Sequence, residues 1–298
     1  MKVVLYVFSG TGNTLKVASL IKKYMNAEVT VYRISKKSGE APSPEGFDLV
    51  GIGYPIHAFN APEPILKFVK SLPKVAYRRA FIFKSSGEGL HLNDCSSQKC
   101  IKILKKKGYD VTLERHVVMP YNMIYRHSDE MAKQMWIYAK AYVKLICREL
   151  ESFKREKVSQ SFLKTFYAPI FRIEQPFAHI HGPLFKVNGK KCIACGKCEK
   201  VCPENNIKLK DGKYKFGKKC VLCMGCAFNC PVDAVKVGFF KFWKVNGSYH
   251  LEELAKDESI LFPIVPNHAK GIYKLYKKYY REVDEKLKAA GIDVNDYI

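Results

Sequence analysis

The sequence predicts an α/β protein in which a doubly wound, parallel five-stranded sheet is followed by a small α+β domain and a helical C-terminal extension. Three observations carry this. Apolar runs of strand length alternate with helically spaced apolar residues over the first half. A loop of small and hydroxyl residues separates the first strand from the first helix. Two matching cysteine runs lie 28 residues apart in the second half. Alternating strands and helices imply parallel pairing with both sheet faces covered.

The first strand spans Lys2–Phe8, rich in Val, Leu, Tyr and Phe as a buried parallel strand requires. Its N-terminal position and lack of a small-residue cleavage site read as a strand rather than a leader peptide. Ser9, Gly10, Thr11, Gly12, Asn13 and Thr14 follow, and then Leu15, Val17, Ala18, Leu20 and Ile21 at helical spacing. Such a loop offers backbone N–H groups and hydroxyls at a helix N-terminus, where the helix dipole favours a phosphate. A Walker A loop would end in Gly-Lys-Ser/Thr, but this one ends in Gly12-Asn13-Thr14. A dinucleotide fingerprint would place a third glycine at Leu15. A monophosphate held without lysine or metal remains.

Further strands are expected at Glu28–Ile34, Phe47–Gly53, Arg79–Ser85 and Tyr109–Met119, and helices at Pro62–Leu72, Cys95–Lys107 and Asp129–Phe153. Ligands of such sheets sit beyond the C-terminal strand ends. Those ends are Ser9–Thr14, Tyr54–Asn60 and Ser85–Leu90. The polar, Pro/Gly-containing stretch Ser35–Gly46 reads as a loop in place of a helix.

Phe8–Thr14 (FSGTGNT) resembles the FMN-phosphate loop of flavodoxins. The likeness extends over residues 1–158, the expected first domain. It implies that Tyr54, Pro55, Ile56, His57, Ala58, Phe59 and Asn60 hold one face of the flavin, and that Ser85, Ser86, Gly87, Glu88 and Gly89 hold its other edge. Asn122, past the last strand, is a further candidate. Tyr54, His57 and Phe59 each either pack on the ring or fill the core. Many flavodoxins have a glycine in the first of these loops, whose peptide can turn to the flavin. Here there is none, and Pro55 stiffens the chain. Glu88 is the one carboxylate in the three loops, with His57, Lys84 and His91 close in sequence. Neutral or positive surroundings would favour added electrons on the flavin.

Residues 159–187 form a proline-interrupted, aromatic-rich connecting segment in which His179 and His181 read as packing residues. Next comes C-x2-C-x2-C-x3-C-P, at Cys192, Cys195, Cys198 and Cys202, repeated at Cys220, Cys223, Cys226 and Cys230. Zinc knuckles need two C-x2-C pairs, not three equally spaced cysteines and a fourth before proline. Three such cysteines wrap one 4Fe–4S cube and the fourth reaches the neighbouring cube. The expected sets are Cys192, Cys195, Cys198 and Cys230 for one cluster, and Cys220, Cys223, Cys226 and Cys202 for the other. Residues 188–240 resemble the bacterial dicluster ferredoxins. Cys95, Cys100 and Cys147 stand apart, and Cys147 shares an apolar helix face.

Residues 241–298 read as helical, with lysines interleaving tyrosines from Tyr273 to Tyr280. A solvated face with its tyrosines packed inward is the expected reading of that stripe.

No uncharged apolar stretch approaches the roughly 20 residues that span a bilayer, and clustered thiols fit a reducing interior, so a cytoplasmic location is expected. The net charge of +23 points to an acidic redox protein as partner. A nucleic-acid partner would rest on charge alone and is not expected. The oligomeric state is open, a homodimer included. Taken whole, the chain resembles the flavodoxin–ferredoxin fusions of anaerobes. That implies an electron carrier with one FMN and two 4Fe–4S clusters. The alternative is a flavin-dependent reductase of a quinone, nitro compound or similar molecule, fed by the clusters.

Overall fold

The computed structural model describes residues 1–89, 91–156, 174–265 and 267–298. Five parallel strands form the main sheet: β1 (Lys2–Val7), β2 (Glu28–Arg33), β3 (Leu49–Pro55), β4 (Arg78–Ser86) and β5 (Tyr109–Val118). Their order is β2-β1-β3-β4-β5, the flavodoxin-like order, with its switch point between β1 and β3. Strand alternation divides the core. Val3, Leu5 and Val7 face α1 (Asn13–Tyr24) and α4 (Asp129–Glu151). Val4, Tyr6 and Phe8 face α2 (Glu63–Ser71) and α3 (Gln98–Lys105). Both faces are therefore buried, which is why β1 is apolar at every position after Lys2.

Element bounds follow the sequence reading closely, with one late start. A 3-10 turn, His91–Ser97, precedes α3, so the expected helix from Cys95 begins at Gln98. Ser35–Gly46 is a loop closed by a single 3-10 turn at Pro44–Gly46. It docks on the second half of the chain: the Lys36 N–H and the Ser35 hydroxyl both donate to the Pro203 carbonyl, at 2.7 and 3.2 Å.

Helix α4 is buried over 17 of its 23 residues, more than a one-sided surface helix allows. The C-terminal extension explains this. Its helices α8 (Leu251–Lys256) and α9 (Lys277–Ala289) add Leu251, Ala255, Tyr280, Val283 and Leu287 to the α1–α4 core. Gln134 inside α4 accepts from the Ile264 and Val265 N–H groups at 2.8 and 2.9 Å, and Lys133 donates to the Asp257 carbonyl at 2.7 Å. These two polar residues are buried because the extension satisfies them.

The cysteine-rich part is small. β6 (Phe185–Val187) pairs antiparallel with β9 (Val235–Val237), and β7 (Ile207–Lys210) with β8 (Lys213–Phe216). Asp211 and Gly212, both at positive φ, close that second hairpin as a two-residue primed turn demands. Short helices α6 (Lys197–Val201) and α7 (Gly225–Phe228) follow the cysteine loops. Upstream, α5 (Glu174–His181) is helical despite Pro176, because a proline in the first turn removes an N–H that has no helical partner anyway. Residues 159–173 of the expected connecting segment lie outside the described residues. Among the described residues, no helix is long and apolar enough to cross a membrane.

Candidate functional site

The three loops at the C-terminal ends of β1, β3 and β4 converge on one cavity of about 410 Å³, within the usual range for a small-molecule site. Ser9, Gly10, Thr11, Asn13 and Thr14 line one end. Gly12 has φ 112° and N-caps α1, whose first turn has no acidic residue. The first N–H groups of a helix lack intrahelical acceptors, so this end presents free donors to an anion. The side chains there are already arranged. Asn122 Nδ2 donates to Thr11 Oγ1, Asn13 Nδ2 donates to the Pro120 carbonyl at 2.7 Å, and the Thr14 and Ser85 hydroxyls meet at 2.8 Å. Asn122 thus lines the same cavity. No lysine lines this cavity among the described residues, in keeping with a phosphate held by N–H groups and hydroxyls.

Pro55, Ile56, His57, Ala58 and Phe59 form one wall, and Ser85, Ser86, Gly87 and Glu88 another. Ala58 and Phe59 sit at φ 38° and 59°, in a turn closed by His57 and Asn60 bonding each other's backbone at 3.0 and 2.8 Å. The loop takes the left-handed conformation without a glycine, at a cost of order 1 kcal/mol or more per residue. Burial lowers the His57 imidazole to about 4, so it is neutral near pH 7. Glu88 accepts from Tyr121 Oη at 2.9 Å and from Asn93 Nδ2 at 2.6 Å.

Four of the candidate residues do not line the cavity. Tyr54 is wholly buried in the α2–α3 core, because strand alternation sends it to the face opposite Gly53. Gly12 caps the helix behind the loop, Asn60 closes the turn through Ala58 O at 2.7 Å, and Gly89 packs on Tyr279. Lys84 is also displaced from the expected electrostatics. It is buried and paired with Glu114, and it donates to the Asn93 and Asp94 carbonyls at 2.8 and 3.1 Å. Its charge is therefore spent below the loop rather than beside a ligand.

Apart from Asn122, the sequence reading missed the far wall. Met119, Pro120, Tyr121, Met123, Ile124, Leu222, Cys223, Met224, Phe240 and Trp243 complete the cavity. The cysteine-rich domain is thus a lid on the Ser9–Thr14 loop. Gly10 leaves no room for a side chain, since an added Cβ would lie 2.5 Å from the Cys223 carbonyl oxygen and 3.1 Å from its sulfur. Only distant residue pairs, two hundred positions apart, reveal this.

The C-terminal extension supports the same loops from behind. Tyr276 Oη donates to the Gly87 carbonyl, and His127 Nε2 lies 3.0 Å from that hydroxyl. His127 Nδ1 accepts from the Tyr121 N–H at 3.1 Å, so the ring is neutral with its proton on Nε2. Burial lowers its pKa to about 3. The Tyr273–Tyr280 stripe thus turns its tyrosines inward, with Lys274, Lys277 and Lys278 exposed.

The eight cysteines of the two runs line two further cavities. Cys192, Cys195, Cys198 and Cys230 surround one, while Cys202, Cys220, Cys223 and Cys226 surround the other. Each cavity thus takes three cysteines from one run and the fourth from the other. The backbone repeats with the same 28-residue offset. Ala194 and Leu222, Gly196 and Met224, and Asn205 and Asp233 all have positive φ. Cys202 Sγ accepts from the Asn206 N–H at 3.3 Å and Cys230 Sγ from the Ala234 N–H at 3.1 Å. Among the described residues no three His, Cys, Asp or Glu side chains gather about a single metal-ion position. Four sulfurs spread around a cavity fit a cube rather than one ion. Cys95, Cys100 and Cys147 are buried in the α/β core, away from both cavities.

A family model described as a flavodoxin domain matches residues 3–107, and one described as a 4Fe-4S dicluster domain matches residues 191–235. No curated protein matches the chain. Among solved structures, oxidised flavodoxin 1 of Bacillus cereus is 22% identical, covering 47% of this chain and 95% of its own, with a TM-score of 0.34. A flavodoxin of Streptococcus pneumoniae TIGR4 is 10% identical, covering 51% and 99%, with a TM-score of 0.37. A Lactobacillus acidophilus flavoprotein in complex with FMN is 15% identical, covering 39% and 92%, with a TM-score of 0.31. With a flavodoxin-domain match in its first half and a 4Fe–4S dicluster-domain match in its second, the chain fits a flavodoxin–ferredoxin fusion.

Proposed function

We propose that this electron-transfer flavo-iron-sulfur protein passes electrons in series, from the outer cluster through the inner cluster to FMN. The observation that carries this is the double position of Cys223, which lines both the cavity of Cys202, Cys220 and Cys226 and the presumed flavin cavity. When bound, the clusters supply one electron each and the flavin accepts two, one at a time. Gly10 lets the backbone of Cys223 touch the phosphate loop. Leu222, Met224, Phe240 and Trp243 exclude water over the apolar walls. Ser9–Thr14 would hold the phosphate, with Asn122 fixing the Thr11 hydroxyl. Glu88 is held by Tyr121 and Asn93, so it orients the loop and is not free as an acid–base group.

The outer set, Cys192, Cys195, Cys198 and Cys230, holds the one exposed cysteine of the two runs. Cys195 is exposed and Ile193 is 61% exposed, with Lys190, Lys191, Lys197 and Lys200 exposed around them. Residues 190–240 carry eleven lysines and four carboxylates. This surface suits an acidic redox protein, which it would attract and orient.

Rapid anaerobic mixing with a limiting one-electron donor tests the order. Cys220→Ser removes a ligand of the inner set without touching the flavin cavity. Flavin should remain bound in that variant and be reduced far more slowly. Reduction at the unaltered rate would overturn the series. Preference for FAD over FMN in reconstitution would overturn the cofactor assignment.

A further inference from the structure

The described surface has a concentrated apolar protrusion whose outward-facing rings, Phe239 and Phe242, take no part in the cavity. In the turn Gly238–Trp243, Phe239 is 76% exposed, Phe242 80% and Trp243 49%. On the neighbouring helix α5 and just past it, Ile180 is 72% exposed and Leu184 40%. The two elements form one unit. His181 is buried between them, its ring 5.4 Å from Phe239 and 4.6 Å from Phe240, and its Nε2 3.1 Å from the Val237 carbonyl. An added Cβ on Gly238 would lie 3.2 Å from Leu184 Cβ. The rings are therefore held outward by a packed base.

Soluble proteins seldom leave a large contiguous apolar patch uncovered without a use for it. The charges beside it favour one use. Lys241 lies over the Phe242 ring at 4.7 Å. Lys186 and Lys236 are directly opposite one another in the β6–β9 pair, which leads into the turn, and both are exposed. The nearby Asp233 is neutralised by Lys244 at 2.5 Å. The patch thus combines protruding Phe, Trp and Ile tips with Lys186, Lys236 and Lys241, for which no ion pair is found among the described residues, on a chain of net charge +23. Protein partners prefer anchors that fill pockets across a flat, complementary face. Aromatic tips with a lysine collar match the boundary between acyl chains and anionic headgroups.

We propose that the turn Gly238–Trp243, together with Ile180 and Leu184, docks the protein peripherally on an anionic lipid bilayer. The insertion is shallow, with the rings at headgroup depth and Lys186, Lys236 and Lys241 against the phosphates. Trp243 and Phe240 of the same turn also line the presumed flavin cavity, so docking brings that cavity's rim to the lipid. The docking itself does not depend on which cofactors the protein carries.

Flotation of the holoprotein with vesicles tests this. Vesicles of phosphatidylcholine with phosphatidylglycerol should carry the protein, and vesicles of phosphatidylcholine alone should not. The double variant F239S/F242S should bind roughly tenfold or more weakly, with unchanged circular dichroism and cofactor content. Lys236→Glu should weaken binding roughly fivefold. A vesicle-induced change in tryptophan emission should vanish in W243F, since the remaining Trp136 is buried. Absence of binding, or equal binding to both lipids, would overturn the proposal. Binding that survives F239S/F242S would do the same. So would a dimer that F239S/F242S converts to monomer, since the patch would then belong to a second copy.

Discussion

Gly10 and Cys223 are in contact across the seam between the two halves of the chain, with the Cys223 carbonyl 2.5 Å from where a Cβ on Gly10 would stand. That position is backbone and cannot swing aside. Gly10→Val should therefore push the cysteine-rich lid off the phosphate loop. We expect weakened flavin binding, and slower cluster-to-flavin transfer in whatever flavin remains bound, checked by flavin content and single-turnover kinetics. A destabilisation of about 1–3 kcal/mol is the usual cost of such overpacking. Gly10→Val with normal transfer would show that the contact is not part of the route.

The two cysteine sets make opposite predictions for single substitutions. Cys202→Ser should damage the cluster of Cys220, Cys223 and Cys226, and Cys230→Ser that of Cys192, Cys195 and Cys198. Each variant should lose about half the iron or show one altered cluster in its electron paramagnetic resonance spectrum. Both variants should also slow flavin reduction, since a series route passes through each cluster in turn. The reverse pattern would mean that each run ligates its own cube.

Tyr276→Phe removes a hydroxyl that both donates to the Gly87 carbonyl and receives from His127. Two buried groups lose a partner, which costs about 1–3 kcal/mol. Because Gly87 lines the cavity proposed to hold the flavin, the variant should also loosen flavin binding, whereas a purely structural role would lower the melting temperature alone. Parallel measurement of thermal stability and flavin affinity separates the two.

His127 gives the fold a dependence on acid. Its folded pKa, about 3, lies below the ordinary value of 6.5. The unfolded chain therefore takes up a proton between those values and the folded one does not. The stability this burial permits is whole above about pH 6.5 and falls as pH drops, by up to about 1.4 kcal/mol per unit. Denaturant melts between about pH 7 and 5 should show this slope, and His127→Gln should remove its share and leave that of His57, whose pKa is lowered to about 4 in the same way.

Electron exchange with an acidic protein partner should slow as salt rises, since exposed charges are screened beyond about 8–10 Å at physiological ionic strength. Replacing Lys197 and Lys200 by Glu should reduce the rate at low salt and remove most of the salt dependence. A rate that is flat with salt would assign the lysines beside the outer cluster to some other role.

Local features were legible in the sequence because their causes are local. The phosphate loop is set by small residues between a strand and a helix, and the cysteine grouping by spacing repeated at 28 residues. The expectations for Cys147, and for the inward-facing tyrosines of Tyr273–Tyr280, rest on helical spacing in the same way. What the sequence could not place was anything decided by parity or by docking. Tyr54 is one residue out of step with the cavity and falls into the core, while Lys84 finds a buried partner in Glu114 on the next strand. The lid of Leu222, Cys223, Met224, Phe240 and Trp243, and the support from Tyr276 and Gln134, depend on surfaces that meet only when distant segments pack. Apolar area and unpaired polar groups are satisfied by whichever segments can reach them, and no local pattern encodes that choice.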